Sequence, residues 1–481
     1  MEKKGFYERN FNKIILISFL LIFIISYTYK FGAWYYDIIT WAFFFGLLAT
    51  FTSILGILMF PSALTFQTFF YKRMNFLPLS LSTAYTILAI CALLVFLLFK
   101  KYKLNKDFNL FLIFGLGLML FASTLFNGLP INFQNYEFVH YVDAIVIFLI
   151  LTVFIRSGKE TKILSWVLFL GIASIAFRLY NHTYSYDIAI PGFENNYLSR
   201  VLSFYVPFFI GMFWAEKKKL FKFIILFALA FTVQGITQLG SRATYLSLGI
   251  ALPLLVIMNI RKKSTWVFVA LGVIFLAFFV GPMFYRDVDS ISKAKQGTQS
   301  EDASIRGRAQ ALEWGWQVFL ENPVMGWGVN NARSENLIND RYGISKSIHN
   351  AYIIIAIEMG IIGLTIYILL FLFSIYLCFK TIILVRNKDK YFYNIANGTM
   401  FGLIAIGINQ YMLNNPWIPD AFIGFGLSSA LYGIAKRMKN EEELKPEEKE
   451  ITHQKEDTKQ NISLKNKQNK KSKHKRKLRN E

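Results

Sequence analysis

Residues 217–263 read KKKLFKFIILFALAFTVQGITQLGSRATYLSLGIALPLLVIMNIRKK. A basic triplet stands at each end, and two apolar runs, 219–238 and 241–259, lie between them. Each run is long enough to cross roughly 30 Å of hydrocarbon as a helix. Because lysine and arginine collect on the cytoplasmic side of membranes, both triplets are expected inside and the turn between the runs outside. The stretch predicts a transmembrane helical hairpin.

The whole chain has the same apolar character. Of its 481 residues, 54% are hydrophobic and 17% aromatic, and its mean hydropathy is +0.40, which excludes an ordinary soluble enzyme. Helices satisfy their own backbone groups in lipid, so the sequence predicts an all-α integral membrane protein, a polytopic bundle of about 12–14 transmembrane helices. The candidate spans are 12–29, 38–59, 82–99, 108–126, 139–155, 163–180, 196–214, 219–238, 241–259, 264–282, 351–373, 393–413 and 419–436.

Basic loops orient these spans. The loops at 100–106, 217–219 and 261–263 are expected in the cytoplasm, and both termini with them. The candidate spans are odd in number, which conflicts with a cytoplasmic N-terminus, so residues 31–81 are expected to hide a further span or a re-entrant piece. The loops that alternate with the basic ones are expected outside: 127–138, 181–195, 283–350 and 414–418.

Two domains follow from composition. Residues 1–436 form the polytopic membrane domain, which includes the large extracytoplasmic loop 283–350. Residues 437–481 are rich in Lys, Glu, Asn and Gln and predict a disordered basic cytoplasmic tail. The tail is either a topology anchor or a docking arm for anionic lipid or an acidic partner. The net charge of +22 is thereby explained without nucleic acid, and Cys91 and Cys378 lie in apolar segments that favour packing over a disulfide.

The loop 283–350 holds most of the residues suited to chemistry. No GxxxxGK[ST], GxGxxG or HExxH pattern occurs in the chain, so neither a nucleotide cofactor nor a zinc site is expected. Within the loop, WGWQVFLENPVMGWGVNN at 314–331 predicts a short amphipathic helix that ends at Asn322 and Pro323, followed by a turn at Gly326 and Gly328. This segment is interpreted as a lid or platform over the membrane.

Arginines and a histidine stand at the outer boundary. Arg242 follows Ser241 at the start of one span, Arg308 lies in the loop, and His349 with Asn350 precedes the span 351–373. Each alone has a plainer interpretation, as a snorkelling arginine, a surface charge or an interfacial histidine. Together they suit a lipid-linked diphosphate, because the guanidinium fork binds phosphate with paired hydrogen bonds. A diphosphate is also a leaving group, so no ATP is needed outside the cell.

Three short sequence motifs, in this order along the chain, resemble the motifs of a known family. TQLGSRATYLSL at 237–248, GRAQALEWGWQVFLENPVMGWGVNN at 307–331 and SIHNAYIIIAIEMGIIGL at 347–364 resemble the O-antigen ligase and O-antigen polymerase superfamily of bacterial envelope glycosyltransferases. IPGFENNYLSR at 190–200 fits the same family. The resemblance is strongest over 235–370.

The resemblance implies a metal-independent, inverting transferase of the GT-C class. It would move an undecaprenyl-diphosphate-linked glycan onto an acceptor hydroxyl at the outer face of the cytoplasmic membrane. Carried over residue by residue, the catalytic set is His349, Arg308 and Arg242, and the substrate-binding set is Arg200, Asn196, Ser241, Asn350 and Trp314.

Several assignments stay open. Arg306 is an alternative to Arg308, and the general base is alternatively one of the loop carboxylates. Leu312 departs from a family tryptophan, a role that Trp314 would cover. The aromatic residues proposed to stack on sugars have an equally good interpretation as interfacial belt residues. The carboxylates are Asp287, Asp289, Glu301 and Asp302, and the aromatics are Trp314, Trp316, Trp327, Tyr342 and Tyr352.

The two candidate transferase functions differ in the acceptor that receives the glycan. A polymerase joins repeat units of capsule, exopolysaccharide or O-antigen type, whereas a ligase transfers the glycan to a lipid, protein or wall acceptor. A flippase for lipid-linked oligosaccharide is the alternative of another class, and it should place polar residues in broken helices near the midplane. The expected partners are the lipid-linked glycan donor, a glycan, lipid or protein acceptor, membrane lipids and other polysaccharide-assembly proteins.

Overall fold

The computed structural model describes residues 107–129, 136–181, 195–275, 300–329, 348–412, 416–417 and 419–441, with residue 13, residues 15–20 and six residues between 90 and 98. The chain divides into two compact units, Met1–Tyr432 and Gly433–Glu481. In the second unit, the described residues 433–441 are helical. The predicted span 38–59, the loop carboxylates Asp287 and Asp289, Tyr342 and the tail beyond residue 441 lie outside the described residues.

The described elements are helices, as the hydropathy pattern predicts. They are α1 Phe108–Phe126, α2 Tyr136–Phe154, α3 Gly158–Asn181, α4 Asn195–Ala215, α5 Lys219–Leu239, α6 Arg242–Asn259, α7 Lys263–Phe275, α8 Ser300–Glu321, α9 Ala351–Val385, α10 Lys390–Gln410 and α11, residues 419–441. Six helices of the described part are long and apolar enough to cross a membrane. The all-α membrane class is therefore confirmed.

Helices α4 and α10 form the centre of the bundle. A Cβ at Gly398 would lie 3.0 Å from Phe208 Cα, and one at Gly211 would lie 2.6 Å from the Asn394 carbonyl oxygen. Glycines let the two backbones approach closely, which is how helices pack where lipid supplies little hydrophobic driving force. Helix α6 packs against both α4 and α10, and α9 packs against α10.

Antiparallel packing gives the bundle two chemically different ends. One end, called here the site end, holds the beginnings of α4 and α6 and the last turn of α10. The opposite end, called the basic end, holds the turns at 216–218, 260–262 and 386–389. At the site end, Gly240 closes α5 in the left-handed conformation (φ 63°), and Ser241 begins α6 as its N-cap residue.

Helix α9 is broken at Gly360, which the sequence pattern did not predict. Gly360 has φ 66° and ψ −169°, outside the helical region. A straight helix would hold Tyr352 and Tyr367 about 22 Å apart, yet their ring centroids lie 5.9 Å apart. The segment 351–359 therefore folds back along 361–385. The expected span 351–373 is in fact a short folded-back helix followed by a longer one that ends at Val385.

The segment 323–328 holds this break in place. Trp327 N–H donates to Ile357 O (2.7 Å), Gly328 N–H donates to Glu358 O (3.0 Å), and Ile361 N–H donates to Pro323 O (2.7 Å). These bonds supply the partners that a continuous helix would have provided on both sides of Gly360. The expected turn after Asn322 and Pro323 is thus present, and its contact is with α9.

Candidate functional site

A buried arginine begins the polar network at the site end. Arg200 is 1% exposed on α4, and its Nη1 donates to Gln410 Oε1 at 3.4 Å. Gln410 Nε2 donates to the Tyr367 hydroxyl (3.1 Å), which in turn donates to the Pro416 carbonyl oxygen (2.9 Å). Polar groups inside a membrane bundle are costly unless they are bonded, so such a chain of hydrogen bonds is a candidate functional region.

Asn409, the neighbour of Gln410, joins α10 to α4 and α6. Its Nδ2 lies 3.0 Å from Thr244 Oγ1, 3.2 Å from Ser203 Oγ and 3.3 Å from Ser247 Oγ. Asn409 is fully buried, as are the three hydroxyl-bearing residues. One amide therefore fixes the relative positions of the three helices at the site end.

The Ser241–Arg242 pair lies at the edge of this network. Ser241 is 2% exposed and its Oγ accepts a long hydrogen bond from Thr244 Oγ1 (3.5 Å), which itself accepts one from Ser199 Oγ (2.9 Å). Arg242, the first residue of α6, is exposed. The tight Gly240 turn thus buries the serine within the bundle and leaves the next side chain at the surface.

The His349–Asn350 pair stands at the start of the folded-back helix. Asn350 is 3% exposed and caps α9, because its Oδ1 accepts from Tyr352 N–H (3.0 Å) and Ile353 N–H (3.1 Å). His349, just before it, is partly buried. Tyr352 donates to the Gly407 carbonyl oxygen (2.7 Å) and packs on Tyr367. The fold-back therefore brings the start of α9 beside the network of Arg200.

The loop helix α8 packs on the same folded-back segment. Apolar residues of α8 and of the segment 348–357 form one buried cluster, and Trp314 packs against this cluster. The contact is close, because a Cβ at Gly315 would lie 2.8 Å from Ile348 Cδ1. The cluster residues are Val318, Phe319, Ile348, Ile354, Ala356 and Ile357. The predicted short helix is longer than expected, since α8 begins at Ser300.

The three loop tryptophans have different surroundings. Trp314 packs on the cluster, and Trp327 donates from Nε1 to Val318 O at 2.9 Å. Trp316 is 45% exposed and packs beside Phe319 with the two rings tilted by 43° and their centroids 5.0 Å apart. Trp314 therefore has a packing role in the structure, and Trp316 offers more ring surface for a sugar.

For the other predicted site residues, the structure describes the helix that carries each one but not the surroundings of its side chain. Arg308, Arg306, Glu301 and Asp302 lie on α8, and Asn196 lies in the first turn of α4, one turn before Arg200. Across the described part of the chain, no group of three His, Cys, Asp or Glu residues is placed to hold a metal ion. Metal independence stays a prediction.

Asn409, Gln410 and Tyr367 were missed by sequence reasoning. The sequence held a signal for two of them, because an Asn-Gln pair inside an apolar span costs free energy. Such a pair therefore suggests a functional role. Tyr367 gave no signal, because a tyrosine in a span is common.

Comparison with known families bears on this region. The O-antigen ligase family (Wzy_C) matches residues 227–368. This stretch of the chain is therefore similar to an O-antigen ligase domain. The match covers α6, α8, the folded-back part of α9 and Tyr367, and it confirms the resemblance to the O-antigen ligase and polymerase superfamily over this region. Among curated proteins, none matches this chain. The described part of the chain is thus a multi-pass membrane bundle in which residues 227–368 are similar to O-antigen ligases.

Proposed function

We propose that this chain is a glycosyltransferase that polymerises undecaprenyl-diphosphate-linked repeat units at the outer face of the cytoplasmic membrane. The observation that carries the proposal is the convergence at one end of the bundle of Arg200, the Ser241–Arg242 turn and the His349–Asn350 start of α9. Cations and a histidine at one membrane face suit an anionic leaving group and a hydroxyl acceptor.

The proposed reaction is an inverting displacement. The acceptor hydroxyl oxygen attacks the anomeric carbon of the donor sugar, and the bond from that carbon to the diphosphate oxygen breaks. The imidazole of His349 accepts the proton of the hydroxyl. The electron pair leaves with the prenyl diphosphate, whose charge Arg242 and Arg308 stabilise. Arg200, buried behind the Ser241 turn, adds a fixed positive charge.

Tyrosine and amide groups position these residues. The Tyr352–Tyr367 contact and the Gln410 bridge connect the start of α9 to Arg200. The side-chain oxygen of Asn350 is used in capping α9, so we propose that its role is to fix the backbone on which His349 stands. Trp316 is the better candidate for stacking on the acceptor glycan.

Ligation is the second candidate, because the matching family is described as O-antigen ligase. The two reactions differ in the acceptor alone. Purified protein in nanodiscs, supplied with an undecaprenyl-diphosphate oligosaccharide, tests both. A ladder of lengthening lipid-linked glycan supports polymerisation. Transfer of one glycan to an added lipid, protein or wall acceptor without a ladder supports ligation.

A flippase would also be compatible with a broken helix. The break at Gly360 is closed by backbone hydrogen bonds from 323–328 and by Ser123 Oγ, which donates to Glu358 O (2.6 Å). This bonding favours a fixed platform over a moving gate. Movement of the lipid-linked donor across proteoliposomes without glycan transfer would contradict the enzyme proposal.

A further inference from the structure

The turn between α6 and α7, at the basic end, holds an ammonium group between two aromatic rings. Lys262 Nζ lies 4.3 Å from the ring centroid of Trp214 and 4.9 Å from that of Tyr393. It also donates to Asn394 Oδ1 at 2.7 Å. Cation–π contacts and the amide bond fix this ammonium where α4, α6 and α10 meet.

The positive charge of this turn is not compensated within the described residues. None of the described carboxylates forms an ion pair with Arg261, Lys262 or Lys263. Burial, together with the nearby charge of Lys390, lowers the pKa of Lys262 to about 8. The ammonium is held in a place that disfavours its charge, and an anion would relieve this.

A buried hydrogen-bond donor stands beside the ammonium. Trp214 is 8% exposed, and its Nε1–H is a buried group that donates to no acceptor of the described chain. Buried donors in proteins are nearly always bonded, so this one points to an acceptor from outside the chain. This indole N–H supports an external ligand independently of the positive charge of the turn.

Apolar surface surrounds the basic turn. Ile257 is 64% exposed, Ile260 48% and Trp266 58%, and both Arg261 and Lys263 are exposed among them. Ile257 and Trp266 belong to α6 and α7, so lipid acyl chains already lie against them, and a soluble acidic partner would have to displace that lipid to reach the turn. A phospholipid covers both, because its phosphate meets the cations while its acyl chains lie on the isoleucines and the tryptophan.

We propose that the α6–α7 turn is a binding site for the headgroup of an anionic phospholipid in the leaflet at the basic end. Arg261 and Lys263 donate to the phosphate oxygens together with Trp214 Nε1–H, and Lys262 supplies a fixed charge behind them. The site is at the opposite end of the bundle from Arg200, so it does not depend on the transfer reaction.

The test is lipid titration of the full-length protein in detergent, followed by native mass spectrometry and thermal unfolding. Phosphatidylglycerol should bind and raise Tm, and phosphatidylcholine should not. Replacing both exposed cations, Arg261→Gln with Lys263→Gln, should weaken phosphatidylglycerol binding about thirtyfold, since each cation near an anionic surface contributes on the order of 1 kcal/mol. Trp214→Phe, which keeps the ring and removes the N–H, should weaken it by a smaller factor.

The turn at 217–219 is the matched control. It is equally basic and exposed, but the Glu216 carboxylate lies beside it and accepts from the Lys217 and Lys218 N–H groups. Replacing its three lysines with Gln should change phosphatidylglycerol binding less than the 261 and 263 pair does. Equal losses from both turns, or equal stabilisation by both lipids, would refute a specific site. Residues 442–450, EELKPEEKE, are the acidic part of the tail. A tenfold gain in phosphatidylglycerol affinity on deleting 442–481 would assign the turn to this acidic segment instead.

Discussion

At the residue scale, the two arginines of the proposed site differ in burial, and this separates their roles. Arg242 is exposed, whereas Arg200 is buried and bonded to Gln410. Arg242→Lys should remove most of the transfer activity at unchanged stability, because an ammonium cannot reproduce the bidentate fork. Arg200→Lys should in addition lower the free energy of unfolding by about 1–3 kcal/mol, since the buried Oε1 of Gln410 loses its guanidinium donor.

Transfer assays in nanodiscs and thermal unfolding measure the two effects on the same preparations. Arg308→Lys is a parallel test of the loop arginine. Normal ladder synthesis by both Arg242→Lys and Arg308→Lys would show that neither guanidinium binds the diphosphate.

His349 carries the chemical step of the proposal. His349→Ala should abolish glycan transfer while donor binding stays nearly unchanged, because loss of a general base acts on the chemical step. The measurements are glycan length on the lipid carrier and retention of radiolabelled donor by the purified variant. Loss of donor binding would make His349 a phosphate ligand, and an unchanged ladder would shift the role of the base to a loop carboxylate.

At the scale of the element, the Gly360 break decides where His349 stands. Gly360→Ala places a Cβ against the Val324 carbonyl oxygen in a left-handed conformation, so it should displace segment 323–328 and abolish transfer. We expect a loss of stability of about 2 kcal/mol or more. Protease sensitivity of 322–350 and transfer activity are the measurements.

Gly249→Ala on α6 is the matched control, since a Cβ there meets nothing within 4 Å. It should leave Tm and transfer within error of the wild type. If Gly360→Ala behaved like Gly249→Ala, the folded-back helix would have no part in positioning His349.

At the scale of the whole molecule, the proposal of an outer-face transferase depends on the orientation of the bundle in the membrane. Because lysine and arginine collect on the cytoplasmic side, residues 217–219 and 261–263 are predicted to lie in the cytoplasm. In a background with Cys91 and Cys378 replaced by serine, a cysteine at Ser300 should react with an impermeant maleimide from outside whole cells. One at Ser463 should react only after permeabilisation. The reverse pattern would place the site end in the cytoplasm and contradict an outer-face transferase.

Individual residues show how much of the structure the sequence pattern predicted. The run 108–126 predicted α1 to the residue, because a lipid-spanning helix needs an uninterrupted apolar run of fixed length. Asn409 lay inside a predicted span, but its three hydroxyl partners come from two helices that are distant in the chain. The packing of Trp314 against the cluster that includes Ile348 was not predicted, since side-chain surroundings depend on which helices meet, and its contact with substrate stays a prediction.

The sequence by itself determined the membrane class, most of the helical spans that the structure describes and the family resemblance, because these depend on hydropathy and on local motifs such as Ser241–Arg242 and His349–Asn350. Only the tertiary structure decided that α9 breaks at Gly360 and that its first turns fold back beside Tyr367. The physical reason is that the break is stabilised by carbonyl and amide groups of residues 323–328 and by Ser123. Such bonds join segments far apart in the chain, and no local pattern encodes them.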